Sequence, residues 1–466
     1  MQGKSAARRL CSMGLSLAVT MVFVVSGFGA DFPTTGPRAP QTSEAKDPGR
    51  IASCEWRVFE PGSAGGPPQL TAVRIADTQG HDGVCVMLRD GNNSHFTDRI
   101  LHDAKLREAA STISTLLIGQ DASTPQAIKA IWDQMEAKKA GFDLETAIDL
   151  ALWDLYGRAH GKPVADLIGR KREKVATHLA TLWPPLGPFR ECKNHQETVA
   201  AYVKLARQVK ERGLLGFKIH PYINGTWNPV EWRPLKKGER GAFPDQNLEI
   251  VRAVYAELGN SMPLMFDPGW QYNLDEAIRV GKVLDEMKFT WYEDPLPEWA
   301  DRDALMKDWI ALRKAIKTPL MGPQEFLTYK ARIHWLEAGA ADWARIDICY
   351  GGYTPCLELI RYCEQHKIRI DLHANPMEAY MLACYPITDD ATMPWIELYG
   401  VPPPYVPPTK EFPGSEPAPK NQPWFKRMPA YLVDDKGYAH FNLDISGLGP
   451  EADWAWIAAH GKDPFR

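Results

Sequence analysis

The chain has 466 residues, of which 44% are hydrophobic and 24% are charged, and its formal net charge at pH 7 is -4. This length predicts two or three folded units with a large core. The near-balanced charge lacks the basic excess that a nucleic-acid-binding protein needs, so we expect no nucleic-acid partner. Its eight cysteines form no Cys-x-x-Cys pair, which argues against a zinc knuckle or a redox motif.

The N-terminus has the pattern of a signal peptide. Arg8 and Arg9 precede the apolar run 15–28, which ends in small residues. We therefore predict a signal peptide over residues 1–30 and export to the periplasm or the medium, without stable membrane association after processing. The alternative, a mis-assigned start codon, would leave the protein in the cytoplasm.

The next segment, residues 31–49, is rich in proline, threonine and charge and is predicted to be a linker. An α+β domain is expected over residues 50–172. Three strand-like runs predict a small antiparallel sheet, and they lie at 54–59, 70–75 and 84–88. Helical periodicity follows over about 103–160, with Asp143 as the expected N-cap of the last helix.

From residue 173 onward, short apolar runs alternate with amphipathic helices, which is typical of successive βα units and a parallel sheet. Eight candidate strands lie at 175–181, 214–220, 263–267, 289–293, 318–324, 342–348, 368–373 and 394–398. Eight such units predict a closed barrel over residues 173–400. The remaining residues, 401–466, begin with a proline-rich stretch, and we expect them to return to the first domain.

Polar side chains end nearly all of these strands, about one βα unit apart. They are Lys218, His220, Asp267, Glu293, Glu325, Asp347, His373 and Glu397. The carboxyl ends of barrel strands share one face, where catalysis takes place, so we expect one common site. Other histidines, such as His195 and His366, have polar neighbours and are expected at the surface.

Three of these carboxylates, on Asp267, Glu293 and Glu325, belong to consecutive strands. Hard oxygen donors suit Mg²⁺, whereas a zinc site would recruit nitrogen or sulfur. Gln324 is an alternative third ligand, and we prefer Glu325 because an anion binds Mg²⁺ better than an amide does. The sequence therefore predicts a magnesium centre at the barrel mouth.

Over about residues 50–450 the chain resembles the mandelate racemase and muconate lactonizing enzyme branch of the enolase superfamily. The resemblance rests on residues 147–154 (AIDLALWD), 291–296 (WYEDPL) and 446–449 (SGLG). It implies an α/β fold, a modified (β/α)7β barrel of the TIM type, with an N-terminal α+β capping domain. Because relatives commonly assemble, it also implies a homo-oligomer.

The resemblance further implies roles for the residues at the strand ends. Lys218 takes the first position of the family's Lys-x-Lys pair, and His220 replaces the second lysine, which is usually a base. For His220 we keep three roles open: a base, a group that hydrogen-bonds the substrate, and a structural residue. Asp347 and His373 match an Asp–His dyad, and Glu397 matches a glutamate that hydrogen-bonds the substrate carboxylate.

These residues predict removal of the proton next to a carboxylate, because enolase-superfamily sites pair a Lys or His base with Mg²⁺. The expected reaction is dehydration of a small carboxylate substrate, an acid sugar, to a 2-keto-3-deoxy acid. Racemisation or epimerisation of a 2-substituted carboxylic acid is one alternative, and a non-catalytic carbohydrate-binding relative is another. Loops 60–69 and 91–97 are expected to determine the substrate.

Overall fold

A computed structural model describes residues 49–59, 70–88, 100–222, 227–297, 302–324, 328–373, 378–400, 416–417 and 422–465. The predicted signal peptide, the linker up to residue 48 and the predicted substrate loops lie outside these ranges, as does the metal candidate Glu325. Within the described ranges, no helix combines the length and the hydropathy that crossing a membrane requires.

The N-terminal part opens with an antiparallel sheet, as predicted, and continues with helices. The strands, which pair in chain order, are Ile51–Phe59, Leu70–Asp77 and Asp82–Leu88. The helices are Ala104–Leu117, Pro125–Ala137, Phe142–Ala159 and Val164–Ile168.

Side chains cap the first two of these helices but not the Phe142–Ala159 helix. Asp103 and Thr124 accept hydrogen bonds from backbone N–H groups of the first turn, which satisfies donors that the helix leaves unpaired. The prediction for Asp143 is wrong: its helix begins after Gly141, at φ 93°, and Asp143 lies inside the first turn. A residue without a side chain adopts that left-handed backbone without strain, so the turn into this helix is made by glycine.

All eight predicted barrel strands are present, and we number them one to eight in chain order. They are Lys174–Thr181, Phe217–Ile219, Leu264–Phe266, Trp291–Glu293, Leu320–Met321, Trp343–Ile346, Arg369–Leu372 and Trp395–Gly400. Strands one to seven pair in parallel in that order, and strand eight pairs in parallel with strand one. The backbone N–H of Ile370 on strand seven donates to the carbonyl of Thr392, just before strand eight. The predicted closed barrel is confirmed.

Helices and short elements connect the strands. The helices are His195–Glu211, Pro244–Leu258, Leu274–Glu286, Arg302–Ala315, Tyr329–Glu337, Tyr353–His366 and Glu378–Met381. A 3-10 turn at Gly187–Phe189 and a hairpin of Trp227–Asn228 with Arg233–Pro234 add to them.

Two surface histidines were expected among these elements, and the structure places one of them there. His366 is exposed. The prediction for His195 is wrong, because its side chain is buried between the hydroxyl of Tyr222, 2.9 Å from Nδ1, and a carboxylate oxygen of Glu249, 3.0 Å from Nε2. Partners from two other segments, invisible in its local sequence, offset the cost of burying the ring.

The C-terminal residues contact both the barrel and the N-terminal sheet. Their strands are Glu416–Pro417, Phe425–Met428, Ala430–Val433, Tyr438–Asn442 and Glu451–Ala452, and their helix is Trp454–His460. Strand Tyr438–Asn442 pairs antiparallel with barrel strand one. Val58 and Lys462 exchange two backbone hydrogen bonds of 2.9 Å, and the ring of Phe59 stacks on Trp456.

The motif at residues 147–154 connects the N-terminal helices to the loop that follows barrel strand six. A carboxylate oxygen of Asp149 accepts a 2.8 Å hydrogen bond from the N–H of Thr354. Gly352, at φ 99°, lies so close that a Cβ there would come within 2.5 Å of the same carboxylate. Because this loop begins at Asp347, the motif helps to place a candidate catalytic residue.

Candidate active site

One layer of the barrel interior consists of four charged side chains, one from each even-numbered strand. They are Lys218, Glu293, Arg345 and Glu397, and none is more than 1% exposed. In TIM barrels, alternate strands contribute the four side chains of a layer, which are usually bulky and apolar. Here two cations and two carboxylates take those positions.

Each cation of this charged layer contacts both anions. Lys218 Nζ lies 3.1 Å from Glu293 Oε2 and 3.0 Å from Glu397 Oε1. Arg345 Nε lies 2.9 Å from Glu293 Oε1, and Nη2 lies 2.5 Å from Glu397 Oε2. Its Nη1 bonds a third carboxylate, Asp371 on strand seven. Burial of so many charges requires this mutual pairing, because an unpaired ion inside a protein is very costly.

The pairing determines which of these groups are charged. Burial alone would raise the pKa of Glu397, but Arg345 and Lys218 hold it well below its usual range. Burial and Arg345 lower the pKa of Lys218, whereas Glu293, Glu397 and Asp267 raise it, and the net shift is upward. Glu397 is therefore ionised within the charged layer, and its hydrogen bond to a substrate carboxylate stays a prediction.

Three tryptophans, each two residues before a member of the charged layer, lie beneath it. They are Trp291, Trp343 and Trp395, with ring centroids 5.1 to 6.2 Å apart. The indole N–H of Trp291 donates to Glu293 Oε2 over 2.9 Å. Alternation along a strand turns residues i and i+2 to the same side, so the layers stack along the barrel axis.

Sequence reasoning missed three buried polar residues: Arg345, Asp371 and His178. His178, Asp371 and Glu397 offer ligand atoms within 4.8 Å of one another, a spacing that fits a metal ion. The guanidinium of Arg345 already bonds both carboxylates, however, and His178 Nε2 lies 3.3 Å from Asp371 Oδ1. We therefore assign this group as an ion-pair cluster. The sequence did offer one signal for Arg345. It precedes the candidate Asp347 by two residues, and alternation along a strand turns residues i and i+2 to the same side.

Toward the mouth, His220 and Asp267 form the next polar pair. His220 is 4% exposed; its Nδ1 donates to the carbonyl of Thr181 over 2.5 Å, and its Nε2 lies 3.1 Å from Asp267 Oδ2. Asp267 Oδ1 accepts a 2.9 Å hydrogen bond from the N–H of Gly269. Burial would raise the pKa of Asp267, but His220, Lys218 and Arg345 lower it, so this carboxylate is ionised.

The carboxylates of Asp267 and Glu293 fit a hard cation. A carboxylate offers about four lone-pair positions, and the described donors use two at Asp267, from Gly269 and His220. Glu293 accepts hydrogen bonds from Trp291 and, at both oxygens, from Lys218, and Arg345 Nε forms an ion pair with Oε1 at 2.9 Å. Asp267 therefore keeps acceptor capacity, whereas a metal ion at Glu293 would have to replace one of these contacts; anionic oxygens are the ligands that Mg²⁺ prefers.

The structure brings Asp347 and His373 together. His373 Nδ1 lies 2.9 Å from Asp347 Oδ2, and Asp347 Oδ1 accepts a 2.8 Å hydrogen bond from the N–H of Cys349. The amide nitrogen of Gln324, the alternative metal ligand, lies 3.1 Å from the same His373 nitrogen. Burial lowers the pKa of His373, whereas the hydrogen bond to Asp347 raises it, and the net shift is upward.

Exposure separates His373 from the other candidates on the barrel strands. Its side chain is 25% exposed, against 0% for Lys218 and 5% for His220. Its Nε2 makes no hydrogen bond to any residue within the described ranges. Of the predicted proton-transfer groups on the described strands, His373 is therefore the accessible one.

We expect Arg345→Met to reduce the free energy of unfolding by about 3–5 kcal/mol, because it leaves three buried carboxylates without their shared cation. Urea unfolding followed by circular dichroism measures the loss. Arg361→Met, which removes a partly exposed pair with Glu358, is the control and should cost less than about 1 kcal/mol. Equal effects of the two substitutions would contradict the assigned role of Arg345.

Family comparisons agree with this architecture. Residues 69–169 match the family described as mandelate racemase / muconate lactonizing enzyme, N-terminal domain. Residues 201–409 match the enolase C-terminal domain-like family. The chain belongs to the enolase superfamily. The family expected from the motifs is thereby confirmed, and with it the mandelate racemase and muconate lactonizing branch.

Several characterised members of this superfamily are similar in sequence. L-talarate/galactarate dehydratase from Salmonella typhimurium is 25% identical over 296 residues, 62% of this chain and 65% of that protein. D-galactarolactone cycloisomerase from Agrobacterium fabrum is 26% identical over 267 residues, 55% of this chain and 61% of that protein. The chain therefore spans less than two thirds of the length of these two relatives.

Solved structures of the superfamily share the fold. D-glucarate dehydratase from Agrobacterium tumefaciens, complexed with magnesium, aligns with a TM-score of 0.66 at 22% identity, covering 89% of this chain and 100% of that chain. L-talarate dehydratase from a Polaromonas species, complexed with Mg and L-glucarate, aligns with a TM-score of 0.61 at 19% identity, covering 89% and 97%.

Proposed function

We propose that the protein is a Mg²⁺-dependent lyase that dehydrates an acid sugar to a 2-keto-3-deoxy acid. The observation that carries this proposal is the Asp347–His373 pair: a buried carboxylate 2.9 Å from a quarter-exposed imidazole, both at the carboxyl ends of barrel strands. Glu293 ends another strand of the same barrel, and Asp267 directly follows a third. The dehydratases among the relatives support the same reaction class.

Asp267 and Glu293, with Glu325 as the predicted third ligand, would hold the metal. When bound, Mg²⁺ supplies positive charge where negative charge develops on the substrate carboxylate. Asp347 keeps a proton on His373 Nδ1 and stabilises the imidazolium form, as an aspartate does in a hydrolase triad. His373 Nε2 is then the atom that exchanges protons with the substrate.

A screen of aldonic and aldaric acids with Mg²⁺ tests this proposal. We expect a 2-keto acid to form from at least one of them and EDTA to stop the reaction. Exchange of the α-proton with D₂O without loss of water would instead favour racemisation or epimerisation. Absence of both activities, together with no Mg²⁺ binding by calorimetry, would favour the carbohydrate-binding alternative. Assembly into a homo-oligomer stays a prediction.

We also propose that the N-terminal segment is a signal peptide that is removed during export. Mass spectrometry of the periplasmic or secreted fraction should then find a mature chain that begins near Asp31. Leu17→Arg places a charge in the apolar run and should prevent processing. Soluble cytosolic protein that retains Met1 would contradict export.

A further inference from the structure

We infer that a cavity between the N-terminal helices and the barrel helices binds a small organic cation with a methylated ammonium group. The cavity measures about 310 Å³, which is the size of a small-molecule pocket. Its walls come from the helices Pro125–Ala137, Phe142–Ala159 and Tyr329–Glu337 and from residues that follow barrel strand six. None of the described catalytic or metal candidates lines it, so the proposed dehydration does not use this cavity.

Four aromatic side chains make the cavity mostly apolar. They are Trp132, Phe142, Tyr329 and Tyr350. The ring centroids of Trp132 and Tyr329 lie 5.5 Å apart, and those of Phe142 and Tyr350 lie 5.6 Å apart, both pairs edge to face. The indole N–H of Trp132 donates to the carbonyl of Gly351 over 2.8 Å. An aromatic face attracts a cation, and several faces around one cavity are the means by which proteins recognise quaternary ammonium groups.

Cations of the protein itself already lie over two of these rings. Lys330 Nζ is 5.5 Å from the ring centroid of Tyr329, and the guanidinium carbon of Arg332 is 5.4 Å from that of Tyr350. Lys330 also pairs with Glu136. Within the described ranges, no lysine or arginine lies over the other two rings, so their faces are available to a ligand.

A carboxylate in the same wall supplies a negative charge. Glu145 lies in the first turn of the Phe142–Ala159 helix and is 5% exposed. Its Oε1 accepts a 3.3 Å hydrogen bond from the N–H of Gly141, whereas Oε2 has no hydrogen-bond partner among the described residues. A buried carboxylate without full pairing is costly, and a positively charged occupant would offset that cost. A methylated ammonium suits the aromatic walls, because it does not need an acceptor for each N–H group that a primary ammonium carries.

Calorimetric titration of the wild-type protein with tetramethylammonium chloride tests the inference. We expect saturable binding, and binding of tert-butanol, an uncharged molecule of similar size, that is at least about tenfold weaker. Equal affinity for the two molecules would show an ordinary apolar cavity and would overturn the inference. Absence of saturable tetramethylammonium binding would overturn it as well.

Two substitutions locate the bound cation. Glu145→Gln keeps the shape of the side chain but removes its charge, and it should weaken tetramethylammonium binding by at least about tenfold. Phe142→Leu removes one aromatic face and should weaken binding by about threefold. Glu257→Gln is the matched control, because it removes a carboxylate that pairs with Arg207 outside the cavity, and it should bind like the wild type. Unchanged affinity in Glu145→Gln, with folding checked by circular dichroism, would place the cation elsewhere and contradict the assigned site.

The pH dependence of the wild type provides a test that does not depend on the folding of a variant. Burial raises the pKa of Glu145 to about 7. The carboxylate is therefore mostly ionised at about pH 8 and mostly protonated at about pH 6, and because the cation binds the ionised form, its affinity should be about fivefold lower at the acidic pH. Equal affinity at the two pH values would overturn the role of this carboxylate.

Other charged groups border Glu145, and one of them titrates in the same range. Glu136 and Lys139 also line the cavity, and Lys330 pairs with Glu136. Burial raises the pKa of Asp149, one turn further along the helix, to about 7 as well. Glu145→Gln should therefore remove most of the pH dependence of binding. A full pH dependence in that variant would assign the effect to Asp149 and contradict the inferred contact with Glu145.

Discussion

His373→Asn is expected to lower turnover by about 10²–10⁴-fold, the usual contribution of a general acid or base. Asparagine can still bond Asp347 through its amide, so the buried carboxylate keeps a partner, but it can neither accept nor release a proton. Because neither Asp267 nor Glu293 contacts His373 directly, Mg²⁺ affinity by calorimetry should stay within a few-fold of the wild type. Steady-state kinetics with an acid sugar from the screen give the turnover.

His366→Asn is the matched control, because His366 is exposed on the Tyr353–His366 helix and bonds only the carbonyl of Tyr362 among the described residues. Its turnover should equal that of the wild type. Full activity in His373→Asn would remove the Asp347–His373 pair from the mechanism, and with it the observation on which the proposed function depends.

Asp267→Asn is expected to abolish activity. It should also weaken Mg²⁺ binding more than the loss of an outer partner does, which typically lowers metal affinity by about 10–100-fold. The substitution preserves shape but removes one negative charge from a site that must attract a doubly charged ion. Calorimetry measures the affinity, and circular dichroism checks that the barrel has folded.

Asp133→Asn is the control for charge alone, since Asp133 is 47% exposed and paired with Lys129 on a surface helix turn. It should leave Mg²⁺ binding unchanged. Undiminished turnover of Asp267→Asn, or of the wild type in EDTA, would show that the metal assignment is wrong.

The barrel could be predicted because its evidence is local. Apolar runs bounded by helices located all eight strands, although the hydrogen-bonded part of a strand is as short as Leu320–Met321. The polar residues at the strand ends were visible for the same reason. Glu325, however, lies outside the described residues, so its place in the metal site stays a prediction.

The pairing within the charged layer could not be predicted, because it joins side chains from different strands. Nothing in its own segment explains why an arginine, Arg345, is buried in an apolar strand. Only the closed barrel brings it against Glu293, Glu397 and Asp371. The prediction that His195 lies at the surface failed for the same reason, because its partners Tyr222 and Glu249 are 27 and 54 residues away in the chain.

The tryptophans under the charged layer make the proposed metal site observable without a label. The indole N–H of Trp291 bonds Glu293 Oε2, the carboxylate that would bind Mg²⁺. A divalent ion on that carboxylate would change the electric field at the indole of Trp291. Trp343 and Trp395 lie close enough to exchange excitation energy with Trp291. The emission of the native protein can therefore follow metal loading during a titration, and comparison with Trp291→Phe would isolate this signal from that of the other tryptophans.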